Sequence, residues 1–293
     1  MRTPAPLSKA TIVEGLTALG LQRGDVVMMH SNLRALAPVR EIVAAPDGGM
    51  EWLIEAFRDV LGAEGLLAVP TFTETFKPGQ PGPVGHVWNP DTTRSRVGQI
   101  TNYVLAQPDR KRSDHPTHSV AAIGEGAEAF CAGHSWHDGA STFDRSGPWG
   151  HLVDADGYIL WLGTDMRTQT CCHTLEDWMR LPYMDTCIAL VEADGETREV
   201  TVTQSPAGDR DFYKRDSKVA RAWDAAGLST KGTVCKANAQ LMKARDFVQW
   251  LWGALKADPG LLLCDRPDCE FCTEGRRKTE AHLKTFDGTW QRQ

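Results

Sequence analysis

The chain alternates between two hydrophobic rhythms. Between Ser8 and Leu19, Ile12, Leu16 and Leu19 recur at helical spacing behind a capping Ser8. "DVVMMHS" (Asp25–Ser31) is a short apolar, β-branched run, the mark of a buried strand. "GGMEWLIEAFRDVLG" returns to helical spacing through Leu53, Ile54, Phe57, Val60 and Leu61 and stops at Gly62. "GLLAVPTF" is again strand-like. Further on, "VGQITNYVLAQ" reads as a helix, "SVAAIG" as a strand, "EGAEAFCAG" as a helix, "YILWLG" as a strand and "TCCHTLEDWMR" as a helix.

This order predicts an α/β fold: a three-layer sandwich with a central mixed sheet and helices on both faces. From Thr186 to Gln204 the pattern changes. "CIALVEADGETREVTVTQ" reads as two strands about a turn at Asp194-Gly195, a small β-rich insertion near 186–204. Helical patterns resume with "DSKVARAWDAAG" and "NAQLMKARDFVQWLWGAL". Lys77 to Asn89, "KPGQPGPVGHVWN", holds three prolines and three glycines and must be a loop. No repeat or linker divides the chain, so residues 1–293 are expected to form one domain with a cysteine-containing tail over 260–293.

Composition narrows the function. With 41% hydrophobic and 24% charged residues the 293-residue chain has ordinary globular make-up. A net charge of -6 argues against nucleic acid, whose phosphates call for clustered Lys and Arg. No apolar run is long enough to span a bilayer, and the N-terminus lacks a signal-peptide core, which points to a soluble cytoplasmic protein. GxGxxG, GxxxxGK[ST], GxSxG and HExxH are all absent.

Four small clusters remain. "HSNLRAL" (His30–Leu36) closes a strand and suits either ligand contact or a locally capped turn. In "RSDHPTHSVAAIG", His115-Pro116 enforces an extended or turn conformation ahead of Ser119 and Val120. His173 and Glu176, three apart on a helix, share a face. They could form a general base with its orienting acid, or a core histidine satisfied by a neighbour. Cys264, Cys269 and Cys272 form C-x4-C-x2-C, near a structural zinc set, with His282 or Cys235 as a fourth ligand.

Taken in order, "VVMMHSNLRALAPV", "GAEGLLAVPTFT", "NPDTTRSRVGQITNYV", "RSDHPTHSVAAIG" and "YILWLG" ahead of His173 resemble the aminoglycoside 3-N-acetyltransferase family. The likeness covers Leu7 to Asp185 and continues more weakly through Gly232–Leu251. It implies acetyl-CoA as cosubstrate and an aminoglycoside or other amine as acceptor. It implies His173 as base, with Glu176 as its partner or as an anchor for substrate amines. Ser31, Asn32, Leu33 and Arg34, with Ser119 and Val120, become contacts for the pantetheine arm. Thr71 and Phe72 would lie at the mouth. Arg94 and Arg96 would meet the phosphates, and Asp165 and Asp177 would join Glu176 in holding substrate. Monomer and homodimer both remain open.

Two departures stand out. Arg167 occupies a position where the family usually has aspartate; an arginine in the cleft would repel a polycationic acceptor and motivates the alternative to the aminoglycoside, an amine of another metabolite or a peptide. Gly147 separates Ser146 from Pro148 where the family tends to have them adjacent. A catalytically silent protein that sequesters ligand in the same groove is a third possibility.

Overall fold

The computed structural model describes residues 6–73, 75–77, 86–204, 217–286 and 288. Most of the Lys77–Asn89 loop expected from the sequence therefore lies outside the described residues.

The elements follow in chain order: α1 (Lys9–Ala18), β1 (Val26–Ser31), α2 (Val39–Ala44), α3 (Met50–Leu61), β2 (Leu66–Pro70), α4 (Gln99–Leu105), β3 (Lys111–Arg112), β4 (Val120–Gly124), α5 (Ala127–Cys131) and β5 (Ala140–Ser141). Then come α6 (Pro148–Asp154), β6 (Tyr158–Leu162), α7 (Cys171–Trp178), β7 (Asp185–Ala193), β8 (Glu196–Gln204), α8 (Lys218–Ala226), β9 (Thr230–Val234), β10 (Ala237–Lys243), α9 (Ala244–Ala257) and α10 (Glu270–Leu283). Ser8 caps α1 as its sequence implies: its Oγ accepts the Thr11 backbone N–H at 3.2 Å.

Seven strands form one mixed sheet in the order β3-β4-β2-β1-β6-β10-β9. Its centre, β2-β1-β6, is parallel, and antiparallel strands complete both edges. Side chains alternate between two hydrophobic layers. Met28, Ile159 and Trp161 point to the layer built by α6, α7, α9 and the C-terminal helix. Val27, Met29, Leu160 and Leu162 point to the layer of α1 and α3. Burial on both faces explains why β1, β2 and β6 read as unbroken apolar runs. A separate three-stranded sheet, β5-β8-β7, holds its own small core around Trp88, Cys187, Val191 and Val202.

One expected element is corrected. "NAQLMKARDFVQWLWGAL" is not a single helix: its first part is β10, and the helix starts at Ala244. Ala237, Ala239 and Leu241 are buried while Asn238 between them is exposed, a period of two. Ladders to β6 and β9 on either side override the helical propensity of Ala, Leu and Met. The cysteine-containing tail likewise proves to contain a 14-residue helix, α10. No helix among the described residues is long and apolar enough to cross a membrane.

Gly163, at the end of β6, has φ 70°. A Cβ there would stand 2.5 Å from the Ala35 Cβ and 2.9 Å from the Asn32 carbonyl oxygen. Only glycine allows the chain to leave β6 this close to the segment that follows β1. We expect Gly163→Ala to cost about 1–3 kcal/mol of stability, read as a lower urea midpoint with unchanged slope.

Candidate active site

The carboxyl ends of β1, β2 and β6 meet at one edge of the sheet, where ligand sites of α/β folds form. Antiparallel β4 begins at the same edge, because Val120 pairs with Pro70. Four loops thus converge: Asn32 onward, Thr71 onward, the approach to β4 through His118, and Gly163–Thr170.

The last of these carries α7. Asp165 caps the 3-10 turn Met166–Thr168 by accepting the Arg167 N–H at 3.1 Å, and α7 starts three residues later. All its residues except Asp177 are buried. His173 Nδ1 and Glu176 Oε2 are 2.7 Å apart, and the Tyr183 hydroxyl donates to Glu176 Oε1 at 2.8 Å. Glu176 is fully enclosed, whereas 11% of the His173 side chain is accessible. With Glu176 ionised, His173 carries its proton on Nδ1, and the lone pair falls on Nε2.

An aromatic row leads from this dyad to the cleft. The His173 ring lies 5.8 Å from Phe143, Phe143 lies 5.4 Å from His118, and His118 lies 4.4 Å from Phe72. Burial, together with the nearby His173 and His134, pushes His118 down to about 3. His118 is therefore a neutral neighbour of His173 near pH 7.

Phe72 lines a cavity of about 260 Å³ with His30, Ser31, Pro70, Arg167 and Thr170, the last one turn ahead of His173. Ser31 also borders a second cavity of about 410 Å³, whose walls include Asn32, Leu33, Arg34, Val43 and Gln99. The two cavities adjoin at Ser31, at the carboxyl end of β1, and together make the groove of the candidate site.

The residues named from the sequence distribute unevenly. Ser31, Asn32, Leu33, Arg34 and Phe72 line the groove. Thr71 and Ser119 are sealed from solvent and bonded to each other through their hydroxyls at 2.9 Å. Val120 packs in the core with its N–H on Ser113. These three brace the wall of the groove rather than line it. Arg94 and Arg96 border a different cavity of about 490 Å³, next to the groove: the Arg96 N–H donates to the Phe72 carbonyl at 2.7 Å.

Asp177 turns the other way. It accepts hydrogen bonds from Ser141 and, at 3.5 Å, Thr203, tying α7 to the small sheet; burial raises its carboxyl above the usual range. Asp165 is forked by Arg167, whose Nε and Nη2 both reach it at 2.8 Å.

Two contributors were missed. Tyr183 lies seven residues beyond Glu176, with no spacing that betrays its role. Arg112 bonds Ser119, Pro90, Thr93 and Thr71 and so knits three loops beneath the groove. Burial brings its guanidinium down to about 9. The "RSDHP" stretch contained it, but nothing in the sequence separated it from other arginines.

Residues 28–255 match the family described as aminoglycoside 3-N-acetyltransferase. The chain belongs to this family. It is similar to aminoglycoside N(3)-acetyltransferase VII of Streptomyces paromomycinus, 29% identical over 273 residues, covering 85% of this chain and 91% of that protein. It is also similar to the SPbeta prophage-derived aminoglycoside N(3')-acetyltransferase-like protein YokD of Bacillus subtilis, 32% identical over 198 residues, or 62% of this chain and 68% of that one. Among solved structures, the apoenzyme of aminoglycoside acetyltransferase AAC(3)-IVa superimposes with a TM-score of 0.74 at 26% identity, covering 95% of this chain and 100% of that one. The mixed α/β architecture is thus that of the family.

Burial also sets an acid limit on stability. It pushes His30 and His134 down to about 4, and His118 lower still, against about 6.5 in an unfolded chain. The unfolded state therefore binds more protons below pH 6.5, and stability falls as pH drops from there toward 4. We expect a loss of about 1 kcal/mol per buried histidine by about pH 5.5, checked by thermal melts across that range, and a shallower decline in His134→Gln.

Proposed function

We propose that this chain acetylates the 3-amino group of the 2-deoxystreptamine ring of an aminoglycoside, with acetyl-CoA as donor. In this reading the main sheet, its helices and the C-terminal segment act as one acetyltransferase domain in the cytoplasm. The observation that supports it most is the His173–Glu176–Tyr183 chain of hydrogen bonds beside the groove.

The groove suits the donor. Its far end has an apolar wall of Leu33, Val39, Ile42 and Val43 with Arg34 on its rim, fitting a flexible arm that ends in phosphates. Bound there, acetyl-CoA supplies an acyl thioester whose carbonyl the amine attacks and whose thiol departs as the amide forms.

This chain's residues manage the protons. A deprotonated amine must lose one further proton as its nitrogen bonds to carbon, and His173 Nε2 is the acceptor. Glu176 stabilises the resulting imidazolium through Nδ1–H, and Tyr183 holds the carboxylate so that it cannot turn away. The same imidazolium returns the proton to the departing sulfur, so the site ends as it began.

Arg167 bears on the acceptor. It lines the groove, but its charge is met by the Asp165 fork, so the pair presents little net charge to a polycation. This keeps the aminoglycoside ahead of the alternative, an amine from another metabolite or a peptide. Related enzymes have been captured with such drugs: a histidine-to-alanine variant of AAC(3)-IVa, 26% identical to this chain, is described in complex with a gentamicin.

Thiol release from acetyl-CoA in the presence of 2-deoxystreptamine drugs tests the proposal, and no release above background across the panel rejects it. His173→Ala should lose about 10²–10⁴-fold in kcat/KM; normal turnover would move the base elsewhere. Asp165→Ala exposes the Arg167 charge and should raise KM for a polycationic acceptor roughly tenfold with kcat little changed. Adding Arg167→Ala should reverse that rise.

A further inference from the structure

Acetyl transfer makes no use of the three sulfur atoms at the start of α10. Cys264 closes the turns that follow α9, Cys269 is the N-cap residue of α10, and Cys272 lies in its first turn. Their Sγ atoms all lie within 4.8 Å of one another. Cys264 and Cys272 are 2% and 0% exposed, and Cys269 is half-buried.

A disulfide needs two sulfurs, and a packed core needs none so close together. Three converging sulfurs match a thiolate metal site: metal–sulfur bonds of about 2.3 Å in tetrahedral geometry set sulfurs roughly 3.8 Å apart. Positively charged groups lie close by as well. Arg266 sits beside the Cys269 sulfur, and Arg276 donates to the Cys264 carbonyl at 3.2 Å. The amino end of a 14-residue helix adds its positive pole.

The fourth ligands suggested by spacing are elsewhere. His282 Nε2 bonds the Met179 carbonyl at 2.8 Å. Cys235 sits 3.4 Å from the Thr11 hydroxyl, on the opposite face of the sheet. Among the described residues the site therefore offers three protein ligands, with Cys269 on its half-open side.

We propose that Cys264, Cys269 and Cys272 bind a thiophilic divalent cation of the zinc class, which pins the first turn of α10 to the chain leaving α9. The pinned helix backs the active site. A Cβ on Gly275 would be only 3.6 Å from the Tyr183 ring, and His282 holds Met179 in the segment between α7 and Tyr183. The site is independent of which amine is acetylated.

The test is metal analysis of the full chain, purified under reducing conditions after growth with added zinc and gel-filtered without chelator. We expect about one zinc per chain, lost in Cys269→Ser and in Cys272→Ser, and retained in Cys235→Ala. Cobalt(II) added to the metal-stripped protein should give the intense visible absorption of tetrahedral thiolate ligation, and chelator should lower the melting temperature of the parent but not of Cys269→Ser. Cys269, half-open, is the substitution a folded protein tolerates best. Zinc below roughly 0.2 per chain with no cobalt absorption overturns the proposal. So does full zinc in Cys269→Ser, or non-reducing alkylation that counts two fewer thiols than the eight in the sequence.

Discussion

A carboxylate with no access to water organises this molecule. Glu176 lies inside the protein, where an unpaired charge is prohibitively unfavourable. Each of its oxygens has a dedicated donor, one from His173 and one from Tyr183. Satisfying it fixes the imidazole tautomer, the rotation of α7 and the path of the chain to Tyr183. The next residue, Asp177, faces away and ties the same helix to the small sheet. Two consecutive acids thus anchor α7 to two different neighbours, and the histidine between cleft and core has little freedom left.

The sheet supplies the place for that arrangement. The parallel strands β2, β1 and β6 end together, and antiparallel β4 starts beside them, so Ser31 to Arg34, Phe72 and Arg167 to Thr170 gather at one end of the sheet. Beneath the groove Arg112 serves three loops at once through four hydrogen bonds. Its stacking over Trp88, 4.4 Å from the ring centroid, links this hub to the small sheet. The Thr71–Ser119 pair completes a buried polar layer behind the wall.

Much of this was legible in the sequence, and the failures have physical causes. The central strands and the helices α1, α3 and α7 announced themselves because their patterns are long or their flanking signals strong. β10 did not, since Ala, Gln, Leu and Met say helix locally and only the neighbouring strands decide otherwise. The pairing of His173 with Glu176 follows from helical spacing alone, whereas Tyr183 and Arg112 arrive through tertiary packing that no local pattern records. Ser31 to Arg34 line the groove because they follow directly from a strand end. Thr71, Ser119 and Val120 are enclosed because the strand ends they belong to are covered on both faces, so that even adjacent side chains are hidden.

The β7–β8 hairpin has a consequence for how this fold can change over time. Its outer edge grips both flanks of the proline- and glycine-rich segment: Lys77 and Trp88 donate backbone N–H groups to Ile188 and Leu190, and Leu190 donates in return to Thr75. With both ankles riveted to the same strand, residues between them can be lengthened, shortened or exchanged while every register in the main sheet stays as it is. The bonds that hold these two ends belong to the three-stranded sheet, so a change of chain length between them bears on β7 and not directly on any ladder of the seven-stranded sheet.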